Sequence, residues 1–364
     1  MVNFISFKIP QFSINRREKW LKLVSYNVYT QIGVFERIGA LVENKKIIDL
    51  NMGYTTYLND VEKETKPYEL ATVKIPPNML SFLDGEEKSM EAAKKTVEYV
   101  KRFLEKEETI TGPKGEKIVY SLDEVKLLAP VPRPRSIRDW LTSKKHTEQA
   151  IKQAQQKLGT TLPEIRETAY EIPLYYRGDH QAVIGPEEDI VWPSYEDKLD
   201  FEFELGMYIG KKGINVSEEE AERYIAGYTI FNDVSARTMQ FKAHRFILGP
   251  GKGKEFYTCN VMGPCMVTPD EIGDVYNLKM VARINGEVVV ETRSSIKEDR
   301  LWTWTKLIEF ASKDQYIYPG DFFGGGTVGG GCGLEIGRWI KPGDIIELEV
   351  EKIGILRNRV VKKT

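Results

Sequence analysis

Asp200-Phe201-Glu202-Phe203-Glu204-Leu205 alternates carboxylates with apolar residues, and a second run, Tyr224-Ile225-Ala226-Gly227-Tyr228-Thr229-Ile230-Phe231, leads through Asn232 to Asp233. A period of two in the first run puts Phe201, Phe203 and Leu205 on one face of a strand and the three acids on the other. Taken alone, that pattern also describes a strand with one solvated face. The second run is too apolar and too rich in β-formers to be anything but a buried strand, so the carboxylate at its end needs a partner or a cation. Together the two segments outline an oxygen-rich metal site.

Short β-type runs dominate the rest of the chain. Leu21 to Tyr26, Ile38 to Val42 and Ile47 to Leu50 form a small β-rich N-terminal unit, with a turn at Glu43-Asn44-Lys45-Lys46. Residues 87–106 place Met90, Ala93, Val97, Val100 and Phe103/Leu104 at helical spacing, which predicts one amphipathic helix. Ala129-Pro130-Val131-Pro132-Arg133-Pro134 can continue neither a helix nor a central strand and reads as an extended connector. The boundary falls near residue 120, dividing the chain into 1–120 and 121–364. Beyond it a helix is expected from about Thr142 to Leu158, then strands, with Asn285-Gly286 turning a hairpin between Leu278–Ile284 and Glu287–Thr292. Strands at Ile345 to Val350 and Ile355 to Val361 close a chain that is mainly β with some α.

Composition narrows the function. At 364 residues with 52 basic and 54 acidic side chains mixed along the chain, there is no electrostatic footprint for nucleic acid or an anionic membrane, and a small-molecule role is the default. Cys259, Cys265 and Cys332 show no Cys-x-x-Cys spacing, which argues against a disulfide framework and a structural zinc site. Without an apolar run of about 18 residues or a signal pattern, a cytoplasmic location is expected.

Asp139 and His146 lie seven residues apart across an expected loop-to-helix junction, where two helical turns would put them on one side; the plain alternative is a surface histidine. The chain has three histidines, and His146, His180 and His244 all fall close to the acidic segments. In Asn232-Asp233-Val234-Ser235-Ala236-Arg237-Thr238-Met239-Gln240 a carboxylate, a guanidinium and an amide can hold a cation and polarise a carbonyl. An Asp–Arg salt bridge with Gln240 on a helix surface is the structural alternative. Gly324 to Gly329 matches G-x-G-x-x-G, but Gly329-Gly330-Gly331-Cys332-Gly333 cannot start a helix and no βαβ unit surrounds it, so a dinucleotide site is rejected. Those glycines let backbone approach a ligand or a close neighbour, with Thr327 as the side-chain donor.

Glu202-Phe203-Glu204, Asn232-Asp233-Val234-Ser235-Ala236-Arg237, Lys254, Gly326-Thr327, Pro342-Gly343-Asp344 and Gly354-Ile355-Leu356-Arg357-Asn358-Arg359-Val360, in this order from about residue 120 to the end, resemble the fumarylacetoacetate hydrolase family. The resemblance implies a mixed β-sandwich roll, usually in a homodimer, holding Mg²⁺ or Ca²⁺, with Mn²⁺ as a further option, through Asp139, Glu202, Glu204 and Asp233. Four carboxylates over-neutralise one divalent ion, which favours Ca²⁺ or a basic neighbour such as Lys254. It further implies hydrolysis of a carbon–carbon bond in a 2,4-dioxo acid: His146 activates water, Glu335 orients the imidazole, Arg237, Gln240 and Lys254 stabilise the oxyanion, and Tyr176, His244 and Thr327 line the substrate pocket. Long members carry a basic residue after the catalytic histidine; this chain has Lys152, Gln153, Gln155, Gln156 and Lys157 there, and His244 stands where the hydrolases commonly have Tyr. Oxo-acid decarboxylation or dehydration of 2-keto-3-deoxy sugar acids is the alternative chemistry on the same site. A catalytically inert metal-binding protein on the same scaffold is the non-enzymatic alternative.

Overall fold

A computed structural model describes residues 21–42, 45–149, 152, 169–244, 248–294 and 299–363. Its centre is the strand Phe203–Ile209, which pairs antiparallel with Ile225–Asp233 on one side and with Phe322–Gly324 on the other. Outward from Ile225–Asp233 the sheet continues through Asn260–Val267 to Lys22–Thr30, Gly33–Val42, Lys46–Asp49 and Val119–Ser121. Outward from Phe322–Gly324 it continues through the parallel strand Ile137–Trp140 to Tyr175–Gly178. A second sheet of five strands runs Glu287–Arg293, Lys279–Ile284, Ile345–Val350, Gly354–Val361 and Asp189–Val191. The fold is mixed, mainly β, with a β-rich N-terminal region, as the sequence pattern indicates.

Two apolar clusters cover the two faces of the large sheet. Phe203, Leu205, Met207 and Ile230 pack in the cluster shared with Ile284, Ile346 and Leu348 of the second sheet. Tyr208, Phe231, Phe322 and Ile137 pack in the other, with Val97, Val100 and Phe82 of the N-terminal helices. Alternation along the strands therefore puts Glu204, Asp233 and Asp139 on the second face, at the end of it that these apolar residues leave to the acids.

The hairpin turns at Asn285 (φ 54°) and Gly286 (φ 81°), the left-handed pair that a two-residue turn matching strand twist requires. The amphipathic helix spans Glu86–Leu104. Three shorter N-terminal helices, Leu50–Tyr57, Pro67–Lys74 and Met79–Asp84, go beyond the one helix expected. Their signals are local: Asp49 and Asn78 accept from Met52 N–H and Ser81 N–H as N-caps, and Pro67 opens the second helix. Around His146 the chain is helical over 144–149 and, beyond it, at 152; Gln153, Gln155, Gln156 and Lys157 lie outside the described residues. One expectation needs correcting. A single helical turn, Gly333–Ile336, does follow the glycine cluster, because the Asp200 carboxylate accepts from Gly333 N–H at 2.7 Å and Leu334 N–H at 3.0 Å and so satisfies its free amides. Among the described residues no helix is long and apolar enough to cross a membrane.

Candidate functional site

Asp139, Glu204 and Asp233 come from three strands of one sheet. Gly324 is the register partner of both Asp139 and Gly206, while Phe203 faces Asn232 and Asp233 donates its N–H to Glu202 O at 3.1 Å. One carboxylate oxygen from each of the three acids lies within 4.8 Å of the others. All three residues are buried, as are Asp200 and Glu202; the segment expected as one strand is split between Leu199–Asp200 and Phe203–Ile209, and its acidic side is interior and not solvated.

Two acids of the triad are oriented from behind. Glu204 accepts from Gly326 N–H at 3.0 Å and Thr327 Oγ1 at 3.3 Å. Asp233 accepts from Tyr176 O–H at 2.8 Å and from the Lys254 ammonium. Asp139 Oδ1 and Asp233 Oδ1 are buried without a hydrogen-bond partner. Burial and mutual repulsion push the carboxyls of Asp139 and Glu204 well above the ordinary range, and burial pushes Asp233 up although Lys254 opposes it. Unpartnered buried oxygens on acids that repel one another are a donor set for a hard divalent cation. Backbone shape agrees: a Cβ on Gly324 would lie 2.3 Å from Asp139 Oδ1 and 3.1 Å from Glu204 Oε2, inside the cradle.

Glu202 stands apart from this triad. Its carboxylate pairs with Arg237 Nη2 at 2.6 Å and with the Lys254 ammonium at 2.5 Å. Burial alone would raise it, but the Arg237 and Lys254 cations outweigh burial and hold it below the usual carboxylate range. Arg237 also binds Asp200 through Nε (2.8 Å) and Nη2 (2.6 Å), and donates from Nη1 to Gln240 Oε1 at 2.8 Å. The expected alternative of an Asp233–Arg237 pair is not what forms: the guanidinium turns to Asp200 and Glu202, and Asp233 is left to Lys254 and the triad. Asp200 itself carries no role in the sequence reading, although the same alternation places it on the acid face.

His146 approaches from the loop-to-helix segment after Ile137–Trp140. Its Nδ1 lies 3.3 Å from Glu335 Oε2, contributed by the Gly333–Ile336 turn. Burial favours the neutral form of Glu335, but its contact with His146 outweighs this and holds the carboxyl below its ordinary range. Cys332 Sγ also donates to Glu335 Oε2, at 3.3 Å. His244 caps the helix Arg237–Ala243, donating its N–H to Gln240 O at 2.9 Å. His180 lies in the turn after Tyr175–Gly178.

Comparison with known proteins identifies the family. Residues 136–361 match the model of the fumarylacetoacetate (FAA) hydrolase C-terminal domain. The chain is 29% identical over 326 residues to the oxaloacetate tautomerase YisK of Bacillus subtilis (strain 168), covering 89% of this chain and 95% of that protein. It resembles the solved 5-carboxymethyl-2-hydroxymuconate delta-isomerase of Mycobacterium smegmatis at a TM-score of 0.54 and 29% identity, over 68% of this chain and 86% of that one. Maleylpyruvate hydrolase of Sphingobium sp. SYK-6, solved with manganese(II) and pyruvate, shares the fold at a TM-score of 0.63 and 19% identity, over 94% and 100% of the two chains.

Proposed function

Because the chain belongs to the fumarylacetoacetate hydrolase family, we propose that it is a divalent-cation-dependent tautomerase that interconverts the enol and keto forms of a short 2-oxo dicarboxylate of the oxaloacetate kind. The observation that carries the reading is a buried acid triad, Asp139, Glu204 and Asp233, in which Asp139 and Asp233 each keep an unpartnered oxygen, together with the His146–Glu335 pair. The near full-length likeness to a protein named an oxaloacetate tautomerase supports the choice of chemistry, as does the likeness to a named isomerase.

Asp139, Glu204 and Asp233 would hold Mg²⁺, Mn²⁺ or Ca²⁺, with Glu202 as the fourth candidate. When bound, such an ion supplies Lewis-acid charge that favours enolisation of a neighbouring carbonyl. The chain's own residues do the rest. Tautomerisation takes a proton from the carbon beside the carbonyl and returns one to oxygen, or the reverse. With Nδ1 turned to Glu335, His146 keeps Nε2 for that proton, and the Glu335 carboxylate balances the charge the ring acquires. Arg237 engages the carbonyl end of the Gln240 amide, so its NH₂ is the end offered to a substrate oxygen. Lys254, held by Glu202 and Asp233, adds positive charge beside the developing oxyanion. Tyr176, Thr327 and His244 form the surrounding wall.

The His146–Glu335 pair also suits activation of water, which supports a second reading, hydrolysis of a carbon–carbon bond in a 2,4-dioxo acid. One experiment separates the two. The Mg²⁺-loaded protein is mixed with the enol of oxaloacetate, and separately with acylpyruvates, fumarylacetoacetate and 2-keto-3-deoxy sugar acids, with absorbance and product masses followed with and without EDTA. EDTA-sensitive acceleration of ketonisation with the carbon skeleton intact supports the tautomerase. Two chain fragments carrying one labelled-water oxygen would assign the hydrolase, and loss of CO₂ or water a decarboxylase or dehydratase. No turnover of any substrate would leave a cation-binding scaffold.

A further inference from the structure

Beside the oxygen-lined triad is a second, chemically different cluster: the imidazole of His146, the thiol of Cys332 and the carboxylate of Glu335, with one donor atom of each within 4.8 Å of the others. We propose that these three side chains form a separate site for a thiophilic divalent ion of the Zn²⁺ or Co²⁺ class, and that its occupation withdraws His146 from proton transfer. Only the second half rests on the tautomerase reading; binding of the ion does not.

Two segments far apart in sequence build the cluster. Cys332 and Glu335 sit three residues apart at one helical turn, where Cys332 O accepts from Glu335 N–H at 3.1 Å, so their side chains share a side. His146 arrives from the segment after Ile137–Trp140. Glu335 Oε2 lies 3.3 Å from both His146 Nδ1 and Cys332 Sγ. A tetrahedral zinc ion with bonds of about 2.0 Å to nitrogen or oxygen and about 2.3 Å to sulfur sets its ligands about 3.3–3.7 Å apart, a spacing the two Glu335 contacts already have.

The cluster is also incomplete as it stands. His146 Nδ1 and Glu335 Oε1 are buried without a directed hydrogen bond, and His146 is 9% exposed. An imidazole, a thiol and a carboxylate with open valences are the mixed N, S and O set that zinc and cobalt prefer, whereas the neighbouring all-carboxylate triad suits magnesium, calcium or manganese. Burial pushes the Cys332 thiol up, with Asp200 and Glu202 adding to it and Arg237 opposing; a coordinating ion removes that proton outright. Three protein ligands leave a fourth position open to water.

The test uses Co²⁺ as a spectroscopic probe, titrated into the full-length protein with Mg²⁺ in large excess to fill the carboxylate triad. A saturable, one-equivalent thiolate-to-cobalt charge-transfer absorption in the near ultraviolet is expected, lost in Cys332→Ser and retained in Cys259→Ser. Glu335→Gln should keep the band but weaken cobalt binding about tenfold, which preserves the test if Cys332→Ser fails to fold by circular dichroism. Zn²⁺ should inhibit the Mg²⁺-loaded enzyme reversibly, with the inhibition constant raised at least about tenfold in Cys332→Ser. No band in the unaltered protein, or a band that survives Cys332→Ser, would overturn the site. A band without Zn²⁺ inhibition would keep the site and reject its effect on His146. Because the band is read without substrate, a failed tautomerase assignment leaves the binding result intact.

Discussion

Gly324 lies against Asp139 so closely that a Cβ at position 324 would stand 2.3 Å from Asp139 Oδ1. The strand Phe322–Gly324 therefore passes through the site carrying no side chain at its last position, and the space left is where three carboxylates converge. Gly324→Ala should lower Mn²⁺ affinity about 10–100-fold, the cost typical of disturbing groups that orient metal ligands. Isothermal titration reads the affinity, and circular dichroism should show the fold retained. Unchanged affinity would place the cation elsewhere.

Removing the imidazole separates binding from proton transfer. His146→Ala should reduce turnover about a hundredfold or more while leaving Mn²⁺ affinity within about twofold, since His146 is outside the acid triad. Turnover within about threefold of the unaltered enzyme would mean that another group moves the proton.

The cation should stabilise the protein more as pH rises. Folded-state carboxyls of Asp139, Glu204 and Asp233 are raised, so their stabilising contribution in the cation-free protein is present below the unfolded carboxylate range of about 4 and is lost as pH climbs through the folded values. A bound divalent ion offsets that loss. Glu202 titrates in the opposite sense, its folded carboxyl being depressed, so its contribution is present above the unfolded range and lost only in acid. The increment in melting temperature on adding saturating Mg²⁺ is expected to be larger at pH 8 than at pH 5. An increment independent of pH would show that these carboxyls are not the ligands.

Arg237 should matter first for stability. Its guanidinium joins Asp200, Glu202 and Gln240 in a fully buried network, and Arg237→Met leaves two buried carboxylates short of a cation. A loss of about 3–5 kcal/mol is expected, measured by urea unfolding of the metal-free protein. A loss below about 1 kcal/mol would mean the pair relaxes into solvent.

Much of this site can be read along the chain. The alternation in Asp200 to Leu205, the apolar run ending at Asp233 and the Asn285-Gly286 turn each carry their meaning locally, because strand period and turn chemistry are properties of a few adjacent residues. The short helix Gly333–Ile336 does not, since glycines and a cysteine carry no helix signal and the turn is capped by Asp200 from a remote strand. Leu50–Tyr57 is likewise helical through its Asp49 cap and its packing against the helix Glu86–Leu104, with too little amphipathic pattern of its own to announce it.

What the sequence determined by itself is the kind of chemistry: acids at strand ends, a histidine near the start of a helix, and a family signature running to the C-terminus. Tertiary structure decided how those acids divide. Asp139, Glu204 and Asp233 face one another, Glu202 and Asp200 are taken by Arg237 and Lys254, and His146 meets Glu335 and Cys332. A period of two reports which face a side chain takes but not what stands opposite it. Ion pairing in a buried site depends on which cation the fold delivers within about 4 Å, and only long-range strand register settles that.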